Sequence, residues 1–424
     1  MQAMKMHRCL VMVLLLFATT PADAQTGVKK MPDTETQAAI ALMMRFAERT
    51  GLASGGTTRR YLWTDAFAVC NFVGLARTTG DQRYQELALR LVDQVHHTLG
   101  RHRADDRRRG WISGLGEHEG EAHPTRGGLR IGKELPERGI REPFDERLEW
   151  DRDGQYFHYL TKWMQALDQV TRATGQSQFN RWARELGDSA YRAFSYRPFA
   201  AAGPRRMYWK MSIDLSRPLV SSMGQHDALD GYITALQLAA TATGLPDPVT
   251  DPDLDAATQG FAGMIKGGDW ASADPLGIGG LLMDAYRVQQ LIQQGAAADQ
   301  RLLERLLTAS LTGLQVYANS REMELPAGHR LAFRELGLAI GLQAVARMWQ
   351  PLNHGPARVS SRSTIRTLMQ ALTQFVPLSD NLVTFWRDPA HQDTPSWAEH
   401  RDINEVMLAT GLAPDGCLTL TSPD

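Results

Sequence analysis

Two kinds of helix alternate along this chain, and their alternation limits the folds that it can adopt. One kind is amphipathic, with apolar residues at three- and four-residue spacing opposite a charged face, as in 81–99, 177–194 and 299–317. The other kind is apolar or small on nearly every side, as in 65–80, 231–244, 277–291 and 331–349. Because a helix without a polar face must be covered on most sides, each helix of the second kind needs partners of the first kind.

The junctions between helices repeat as well. Three apolar helices end in Thr-Gly, within ARTTGD (76–81), TRATGQ (171–176) and TATGLP (241–246), where the glycine suits a left-handed helix end. An amphipathic helix follows each time, so the pattern predicts irregular helical hairpins. The amphipathic members are expected near 33–50, 81–99, 176–196, 251–265, 298–317 and 361–376, and the apolar members are expected to begin near 61, 153, 226, 276, 329 and 401.

Six apolar helices wrapped by six amphipathic ones can close into a ring in which every inner helix loses its water-facing side. In this arrangement the chain resembles the six-hairpin glycosidase-like superfamily, the (α/α)6 toroids. Members include unsaturated glucuronyl hydrolases, polysaccharide lyases and the N-acylglucosamine 2-epimerase type. The resemblance covers nearly all of 25–424 and implies an all-α (α/α)6 toroid, with an insertion at 100–152 that carries β-leaning pieces (110–115 and 127–133). An open α-solenoid is the alternative fold.

The first 24 residues have the features of a cleavable export signal. A basic start with Lys5 and Arg8 precedes an apolar run and then Ala22-Asp23-Ala24, and cleavage is expected after Ala24. The apolar run is shorter than the ~20 residues that span a bilayer. We therefore predict a periplasmic or secreted protein without a membrane span, formed by one domain over 25–424.

Charge and cysteine content exclude several classes of protein. The full chain has 46 Lys and Arg against 47 Asp and Glu, and removing Lys5, Arg8 and Asp23 leaves a balance of −2. A nearly neutral chain offers no global field for nucleic acid. Only Cys70 and Cys417 remain after cleavage, so a disulfide scaffold and a four-cysteine zinc module are excluded. Cys70 lies in an apolar helix pattern, which favours a buried thiol.

Each predicted inner helix is preceded by a polar and aromatic cluster, and a toroid would bring these six helix starts to one end. Half of the ten tryptophans lie at or just before them: Trp63, Trp150, Trp209, Trp270 and Trp397. Aromatic faces stack on sugar rings, so the pattern favours a glycan site, to which Glu149, Tyr156, His158, His329 and His400 are added. The alternative is that the tryptophans seal the ends of a large helical core.

Basic residues near these clusters suggest that the sugar is anionic. Lys210, Arg217, Arg330 and Arg401 lie close to predicted helix starts, and Arg126, Arg130 and Lys133 lie in the insertion. A guanidinium group binds a carboxylate in two-point geometry, so a uronate would explain them. Internal salt bridges with neighbouring acids are the alternative.

The insertion itself is unusually charged. From 101 to 153, 25 of 53 residues are charged, about twice the 22% of the whole chain. Loops of this length inside a domain are usually functional or disordered, and the glycines and Trp111 favour an ordered flap over the cavity. Glu117, His118, Glu119, Glu121 and His123 lie close together in it, but their spacing fits no standard zinc motif, so no metal or other cofactor is predicted.

Glycosidic bond hydrolysis needs a proton donor and a second carboxylate. Asp153 is predicted as general acid/base, with Asp151 beside it and Asp65 as a partner from another inner helix; Asp227 and Asp230 are reserves, and His226 orients substrate or shares protons. Capping of helix starts is the competing role for each aspartate.

Other activities remain open at this point. The resemblance also implies an epimerase that uses facing histidines from the set His158, His226, His329 and His400, or a lyase with a tyrosine base (Tyr156, Tyr208 or Tyr232). Non-catalytic glycan binding is a further alternative. No serine-hydrolase elbow or dinucleotide fingerprint occurs in the sequence.

Overall fold

Helix boundaries follow the periodicity of the sequence closely. The computed structural model describes residues 33–421 except 54, 56–57, 199–204, 297 and 355–359, so the predicted signal at 1–24 lies outside the described residues. The helices are α1 (Thr34–Arg49), α2 (Leu62–Thr79), α3 (Gln82–Leu99), α4 (Glu117–Ala122), α5 (Glu146–Asp151), α6 (Phe157–Thr174), α7 (Ser177–Phe194), α8 (Asp227–Gly244), α9 (Asp255–Met264), α10 (Pro275–Gln293), α11 (Gln300–Asn319), α12 (Ala332–His354), α13 (Ser360–Thr373), α14 (Pro377–Arg387), α15 (Pro389–Gln392), α16 (Pro395–Glu399), α17 (Arg401–Leu412) and α18 (Asp415–Leu418).

Short strands supplement the helices near the start of α6. They are β1 (Gln155–Tyr156), β2 (Ser195–Tyr196), β3 (Arg206–Met207), β4 (Lys210–Met211) and β5 (Pro218–Val220). β4 pairs antiparallel with both β1 and β5, and β2 pairs with β3. The register places Tyr156 opposite Lys210. The inner helix expected near 153 begins only at Phe157, because Gln155 and Tyr156 join this sheet.

Six helices form a closed inner ring. In order around it, α2, α6, α8, α10, α12 and α17 each pack against the next, and α17 packs against α2. The outer layer places α3 on α2, α7 on α6, α9 on α8, α11 on α10 and α13 on α12, while α1 packs on α17. The first helix of the described chain thus completes the pair of the last inner helix. The predicted (α/α)6 toroid is confirmed, and the open solenoid is wrong because the two ends of the array meet.

Burial explains why the inner helices lack a polar face. Every residue of α2 from Leu62 to Ala76 is buried, and its partner α3 buries one side only. Gly80 and Gly175 end α2 and α6 in the left-handed conformation, with φ of 65° and 68°, as predicted. Gly244 differs, since it is the last residue of α8 and a residue in extended conformation, Leu245, follows it.

The C-terminal segment closes the far end of the ring. α18 packs against α2, where Gly416 and Gly74 bring the two backbones together. Side chains of α6 and α10 donate to its backbone: Gln169 to the Thr419 carbonyl at 3.1 Å and Gln290 to the Leu418 carbonyl at 3.0 Å. Cys70 and Cys417 are both free thiols, and Cys70 is buried. Residues 415–421 therefore cover α2, α6 and α10 at the end of the ring opposite the starts of these helices.

The insertion at 100–152 is folded and lies over the start of α6. It contains α4 and α5, but its predicted β-leaning pieces form no strand among the described residues; Trp111 makes only an isolated bridge to Arg101. Its charges pair within the insertion and with the segment that contains β4 and β5: Arg108 contacts Asp106 and Glu137 of the insertion and Asp214 beyond it, at 2.8 Å each. The described residues between 33 and 421 belong to one compact unit.

Within the described part of the chain, no helix combines the length and the apolar character needed to cross a membrane.

Candidate functional site

Contacts between neighbouring helices show that the six inner-helix starts lie at one end of the ring. The hydroxyls of Tyr61 and Tyr159, at the starts of α2 and α6, are 2.6 Å apart. Between α10 and α12, Arg334 donates to Asp274 at 2.7 Å, and between α12 and α17 the Phe333 amide donates to Asn404 at 3.0 Å. The starts of these inner helices therefore lie side by side, although the segments are far apart in sequence.

A continuous row of aromatic rings lines one side of this basin. Trp150, which is 48% exposed, meets Trp209 edge-to-face at 5.0 Å between ring centroids. Trp209 contacts Tyr156 at 5.1 Å and lies nearly parallel to the His158 ring at 6.1 Å. His158 in turn meets Tyr159 edge-to-face at 4.9 Å. We call these five rings the aromatic wall.

The small sheet positions the aromatic wall. Trp209 directly precedes β4, and its amide donates to the Val220 carbonyl at 3.1 Å. Pairing of β1 with β4 sets Tyr156 across from Lys210, so Trp209 is held beside the first turn of α6. Of the side chains predicted from sequence to bind sugar, Trp150, Tyr156, His158 and Trp209 are thus brought together, although they come from two segments about 50 residues apart.

Asp227 and His158 face each other at the inner end of the wall. Asp227 begins α8 and is 3% exposed, and its Oδ1 lies 3.8 Å from Nδ1 of His158, too far for a hydrogen bond. Neither Asp227 Oδ2 nor His158 Nδ1 has a hydrogen-bond partner. Such unpaired buried groups are costly to a fold and are expected at sites that bind a ligand.

Burial brings both groups to their neutral forms. It raises the pKa of the Asp227 carboxyl to about 7, with the charge of Asp230 adding to the shift. It lowers the pKa of the His158 imidazole to about 4. Between these values Asp227 holds a proton that it can donate, and His158 has a free nitrogen lone pair that can accept one.

Asp230 lies one helical turn below Asp227 and is ionised. Burial favours its neutral form, but the Lys162 ammonium, 3.3 Å from Oδ1, and a hydrogen bond with Asp284 hold the pKa of Asp230 below its ordinary value. Asp227 and Asp230 thus lie on one face of α8, and their pKa values are shifted in opposite directions. Such a pair can supply both an acid and a base to a reaction.

Asp153 occupies a different environment, which does not suit the general acid/base role predicted for it. Its side chain is fully buried and receives Arg130 at 2.5 Å, Arg103 at 3.3 Å and the amides of Gly132 and Gly154 at 3.0 and 3.1 Å. Each of its oxygens thus has at least two donors, most of which belong to the insertion. We therefore interpret Asp153 as the carboxylate that anchors the insertion to the start of α6.

Asp65 caps its own helix. Its Oδ2 accepts from the Tyr61 amide at 2.9 Å, and its Oδ1 lies 3.3 Å from Arg60. Burial raises the pKa of this carboxyl to about 6, although Arg60 opposes the shift. Asp65 is 1% exposed, so the capping alternative fits it better than a partnership in catalysis.

The remaining catalytic candidates lie near the basin without entering the aromatic wall. His226 contacts the Trp270 carbonyl through Nε2 at 2.9 Å, which fixes the ring between α8 and the segment before α10. Asp151 is exposed on α5. Of the five residues predicted as catalytic, Asp227 alone combines access to the wall with an unpartnered buried oxygen.

Three predicted sugar-binding tryptophans belong to the core. Trp63, Trp270 and Trp397 are 6%, 4% and 3% exposed. Their rings contact Phe67, Arg305 and Trp386, respectively. For these residues the alternative interpretation, that tryptophans seal the ends of the helical core, is the one that the packing supports.

Most of the cations predicted to hold a uronate already have protein partners. Lys210 is fully buried, 2.9 Å from the Glu149 carboxylate and 2.6 Å from its carbonyl, and Arg330 pairs with Glu335 at 2.6 Å. Glu149 also receives Arg138 at 2.9 Å, so it is a structural carboxylate and not a pocket wall. Other residues of this set are placed as follows: Arg217 donates to the Arg138 carbonyl, Arg126 and Arg130 pair with Glu185 and Asp153, Lys133 donates to the Trp150 carbonyl, His400 meets the Phe333 ring, and His329 and Arg401 are exposed.

Three of the five acids and histidines predicted to lie close together in the insertion pair with other protein groups. Glu117 pairs with Arg101, Glu121 contacts His97 at 2.9 Å, and His123 contacts Glu185 at 2.5 Å. Within the described ranges no three His, Cys, Asp or Glu side chains are arranged to hold a metal ion.

Sequence reasoning gave too little weight to α8. Asp227 and Asp230 were reserves, and Lys162 and Asp284 were not singled out. The sequence nevertheless contains an indication of this site: the segment SSMGQHDALDGYITALQLAATA (221–242) has two acids, Asp227 and Asp230, at helical spacing in an otherwise apolar helix. Buried acids without a lysine or arginine nearby in sequence require a partner from elsewhere in the fold or a function.

Solved structures of similar architecture include carbohydrate-active enzymes. The chain is similar to the GH76A α-1,6-mannanase of Salegentibacter sp. HEL1_6 (12% identity, TM-score 0.49, covering 90% of this chain and 99% of that one). It is also similar to a sugar epimerase from a ruminal bacterium (8%, 0.49, 89% and 97%) and to cellobiose 2-epimerase of Spirochaeta thermophila DSM 6192 (12%, 0.43, 89% and 98%). No protein-family model and no curated protein matches the sequence. At these identities the similarity extends to the fold alone and not to the chemistry of the site.

Proposed function

We propose that this protein is an exported glycoside hydrolase in which Asp227 is the general acid and Asp230 is the second carboxylate. The observation that carries the proposal is a buried Asp227 carboxyl group with one unpartnered oxygen, Oδ2, at the inner end of a wall of aromatic rings. Aromatic faces provide a platform for sugar rings, and a carboxyl that keeps its proton near neutrality can protonate a leaving oxygen.

The two carboxyl groups suit the two roles of a glycosidase. Asp227 donates its proton to the glycosidic oxygen as that bond breaks, and the ionised Asp230 forms a bond to the anomeric carbon. A water molecule then gives a proton back to Asp227 and its hydroxyl to the anomeric carbon, which releases the sugar and regenerates Asp230. Residues three apart on a helix have Cβ atoms ~5–6 Å apart. Retaining enzymes place their carboxyl groups ~5–5.5 Å apart and use the second one as nucleophile, so two acids one helical turn apart are compatible with a retaining reaction in which Asp230 is the nucleophile.

The charge of the sugar is the least supported part of the sequence-based prediction. Lys210 and Arg330 are bound within the protein, as described above. Arg334 at the basin is 39% exposed, and its Nε has no partner, although it also pairs with Asp274. We therefore expect Arg334 to be the contact for a carboxylate if the substrate has one, and neutral oligosaccharides to be accepted as well.

Isomerisation is the second candidate, and the state of His158 favours it. A neutral imidazole with an unpartnered Nδ1 can remove a proton from a carbon next to a carbonyl group, with Asp227 as the acid. Solvent-deuterium incorporation into recovered sugar without new reducing ends identifies this reaction. Hydrolysis instead releases one reducing end for each bond broken.

The test is a panel of neutral and uronate-containing oligosaccharides assayed for new reducing ends. Asp227→Asn is expected to lower kcat by at least a thousandfold, because the amide cannot donate the proton. Trp209→Ala is expected to raise KM more than it lowers kcat. Asp188→Asn, on the outer face of α7, is the matched control and should turn over as the wild type does.

An Asp227→Asn variant with wild-type turnover would contradict the proposal. Export is tested separately, by sequencing the N-terminus of the protein recovered from the periplasm or medium. Cleavage after Ala24 is the expected result.

A further inference from the structure

Two cysteines that are far apart in sequence meet where the C-terminal segment packs on α2. Cys70 belongs to α2 and is buried, whereas Cys417 belongs to α18 and is partly exposed. No other cysteine occurs in 25–424. The fold thus makes neighbours of the two thiols that remain after the predicted cleavage.

Backbone contacts place Cys417 against this part of α2. Cys70 and Gly74 are one helical turn apart and share a face of α2. Gly416 lies directly on this face, since a Cβ on Gly416 would lie 2.0 Å from the Cys70 carbonyl oxygen and 2.9 Å from the Gly74 Cα. The next residue is Cys417, whose Cα is ~3.8 Å from that of Gly416. The two cysteines are therefore within reach of a disulfide bond, which joins Cα atoms ~4.4–6.8 Å apart.

The two thiols differ in how readily they can react. They are hydrogen-bonded to each other, and this bond lowers the pKa of the Cys417 thiol. The thiolate is the form that attacks a disulfide, and it must be accessible to an external oxidant. Cys417 meets both conditions, whereas the buried Cys70 is shielded by the segment that carries Cys417.

We propose that Cys70 and Cys417 form a disulfide bond in the exported protein and thereby attach the C-terminal segment covalently to α2. Disulfide bonds persist in the periplasm and outside the cell, so the inference rests on the export included in the proposed function, but not on hydrolysis. The bond joins the first inner helix to the segment that follows the last one, α17. Because it closes a loop that contains most of the folded chain, it constrains the unfolded state strongly.

The bond forms in two exchange steps with a disulfide oxidant, either oxidised glutathione or a thiol–disulfide oxidoreductase. The Cys417 thiolate attacks one sulfur of the oxidant, whose S–S bond breaks and releases the first thiolate. Cys70 then gives its proton to water, and its sulfur attacks Cys417 Sγ and releases the second thiolate. Two protein thiols lose two electrons and two protons, and the disulfide of the oxidant is reduced to two thiols.

The first test counts the thiols of a chain that begins at Gln25. The wild type is incubated with oxidised and reduced glutathione, unfolded without reductant and treated with iodoacetamide, and its mass is measured. We expect no alkylated cysteine before reduction and two after it, and a digest should contain a peptide pair that links Cys70 to Cys417. Two alkylated cysteines before reduction, or glutathione retained on Cys417, would overturn the inference.

A pair of glycine variants tests whether the contact between the two backbones is responsible. Gly416→Ala keeps both thiols but adds a methyl group against the Cys70 carbonyl, so we expect the disulfide to form at least about tenfold more slowly. Gly280→Ala, whose added Cβ would meet nothing within 4 Å, should match the wild type. Equal rates for the two variants would overturn the assignment of the bond to this contact.

The second test measures whether the bond stabilises the attachment of the segment. The Tm of the oxidised wild type is expected to exceed that of the reduced wild type by roughly 3–8 °C. Cys417→Ser has a single thiol, so reductant should leave its Tm unchanged. A wild-type Tm that does not respond to reduction would overturn the stabilising role of the bond.

This inference and the proposed function fail in different ways. The thiol count uses no glycoside, so a protein that is inert on every sugar can still contain the disulfide. Conversely, protein recovered from the periplasm or medium with its signal removed and with full hydrolase activity, but with both cysteines alkylated before reduction, would overturn the inference and leave the proposed function intact.

Discussion

At the scale of single residues, two buried aspartates show how environment separates structure from chemistry. Asp153 and Asp227 both lie at the start of an inner helix and both are nearly inaccessible. Asp153 is surrounded by two guanidinium groups and backbone amides, whereas one oxygen of Asp227 has no partner. Asp153 is thus held by several donors on each oxygen, whereas Asp227 keeps a free oxygen, so residue type and position alone do not identify the acid.

Asp153→Asn is predicted to destabilise the protein strongly. The change removes the charge that pairs Arg103 and Arg130, and breaking a buried pair costs about 3–5 kcal/mol. Urea unfolding measures the loss, and Asp188→Asn, which breaks a single more exposed pair with Arg192, is expected to cost less than about 1 kcal/mol. Equal stability of the two variants, with turnover lost only in Asp153→Asn, would restore the catalytic role predicted from sequence.

Asp227→Asn is predicted to become more stable than the wild type as the pH rises. The folded state keeps the Asp227 proton up to about pH 7, and the unfolded state loses it near pH 4. The contribution of Asp227 to the free energy of unfolding of the wild type therefore decreases as the pH rises from about 4 to about 7. By pH 8 the variant is expected to be more stable than the wild type by on the order of 2–4 kcal/mol relative to their difference at low pH.

The wild-type curve by itself does not reveal this effect, because two histidines act in the opposite direction. Burial lowers the pKa of His96 to about 3 and that of His158 to about 4. The contribution of these two histidines to the free energy of unfolding therefore increases as the pH rises toward about 6.5. The difference between variant and wild type isolates Asp227. A difference that does not change with pH would show that Asp227 is ionised in the folded protein.

At the scale of helices, α10 and α12 pack more closely than side chains normally allow. A Cβ on Gly279 would lie 2.1 Å from the Gly337 carbonyl oxygen, and one on Gly341 would lie 2.7 Å from the Gly279 Cα. Backbone therefore contacts backbone along this crossing. The contact draws together the starts of the two helices, where Asp274 and Arg334 meet at the basin.

Adjacent glycines of α10 provide a matched test of this contact. Gly279→Ala is predicted to cost about 1–3 kcal/mol or more, since the obstructing atom is backbone and cannot rotate away. Gly280, whose added Cβ would meet nothing within 4 Å, should gain up to about 1 kcal/mol on change to Ala. The two Tm values measure the contrast, and Gly279→Ala at or above the stability of Gly280→Ala would contradict the packing.

At the scale of the whole molecule, the toroid is closed at one end by its own C-terminal segment. Besides Gln169 and Gln290, Arg172 donates to the Thr421 carbonyl at 2.6 Å. The Leu420 amide donates to Gln290 Oε1 at 2.8 Å. Residues 415–421 thus satisfy polar side chains of α6 and α10 that would otherwise be left unpaired inside the ring.

A chain that ends after Pro414 is therefore predicted to unfold at a lower temperature. Each unpaired buried group costs about 1–3 kcal/mol, and the deletion leaves several of them at the base of the lumen. The comparison is with a chain that ends after Thr421, which keeps these hydrogen bonds. Equal Tm values for the two truncations would show that the segment does not stabilise the ring.

The amino-acid sequence by itself determined the helices and their closure into a ring. Amphipathic and all-round apolar periodicity are local properties, and six helices without a polar face cannot all be covered in an open array. The start of α6, the small sheet and helices α14–α16 were not predicted, because short strands and capping segments take their shape from neighbours distant in sequence.

Only the tertiary structure decided which carboxyl groups are paired and which keep a free oxygen. Asp153 is satisfied by Arg103 and Arg130 from the insertion, and Asp227 faces His158 from another helix, so the distinction depends on partners that no local pattern specifies. The same holds for the tryptophans, of which Trp150 and Trp209 line the basin while others fill the core. Burial and pairing are properties of the assembled ring, and they set the protonation state and access on which the proposed chemistry depends.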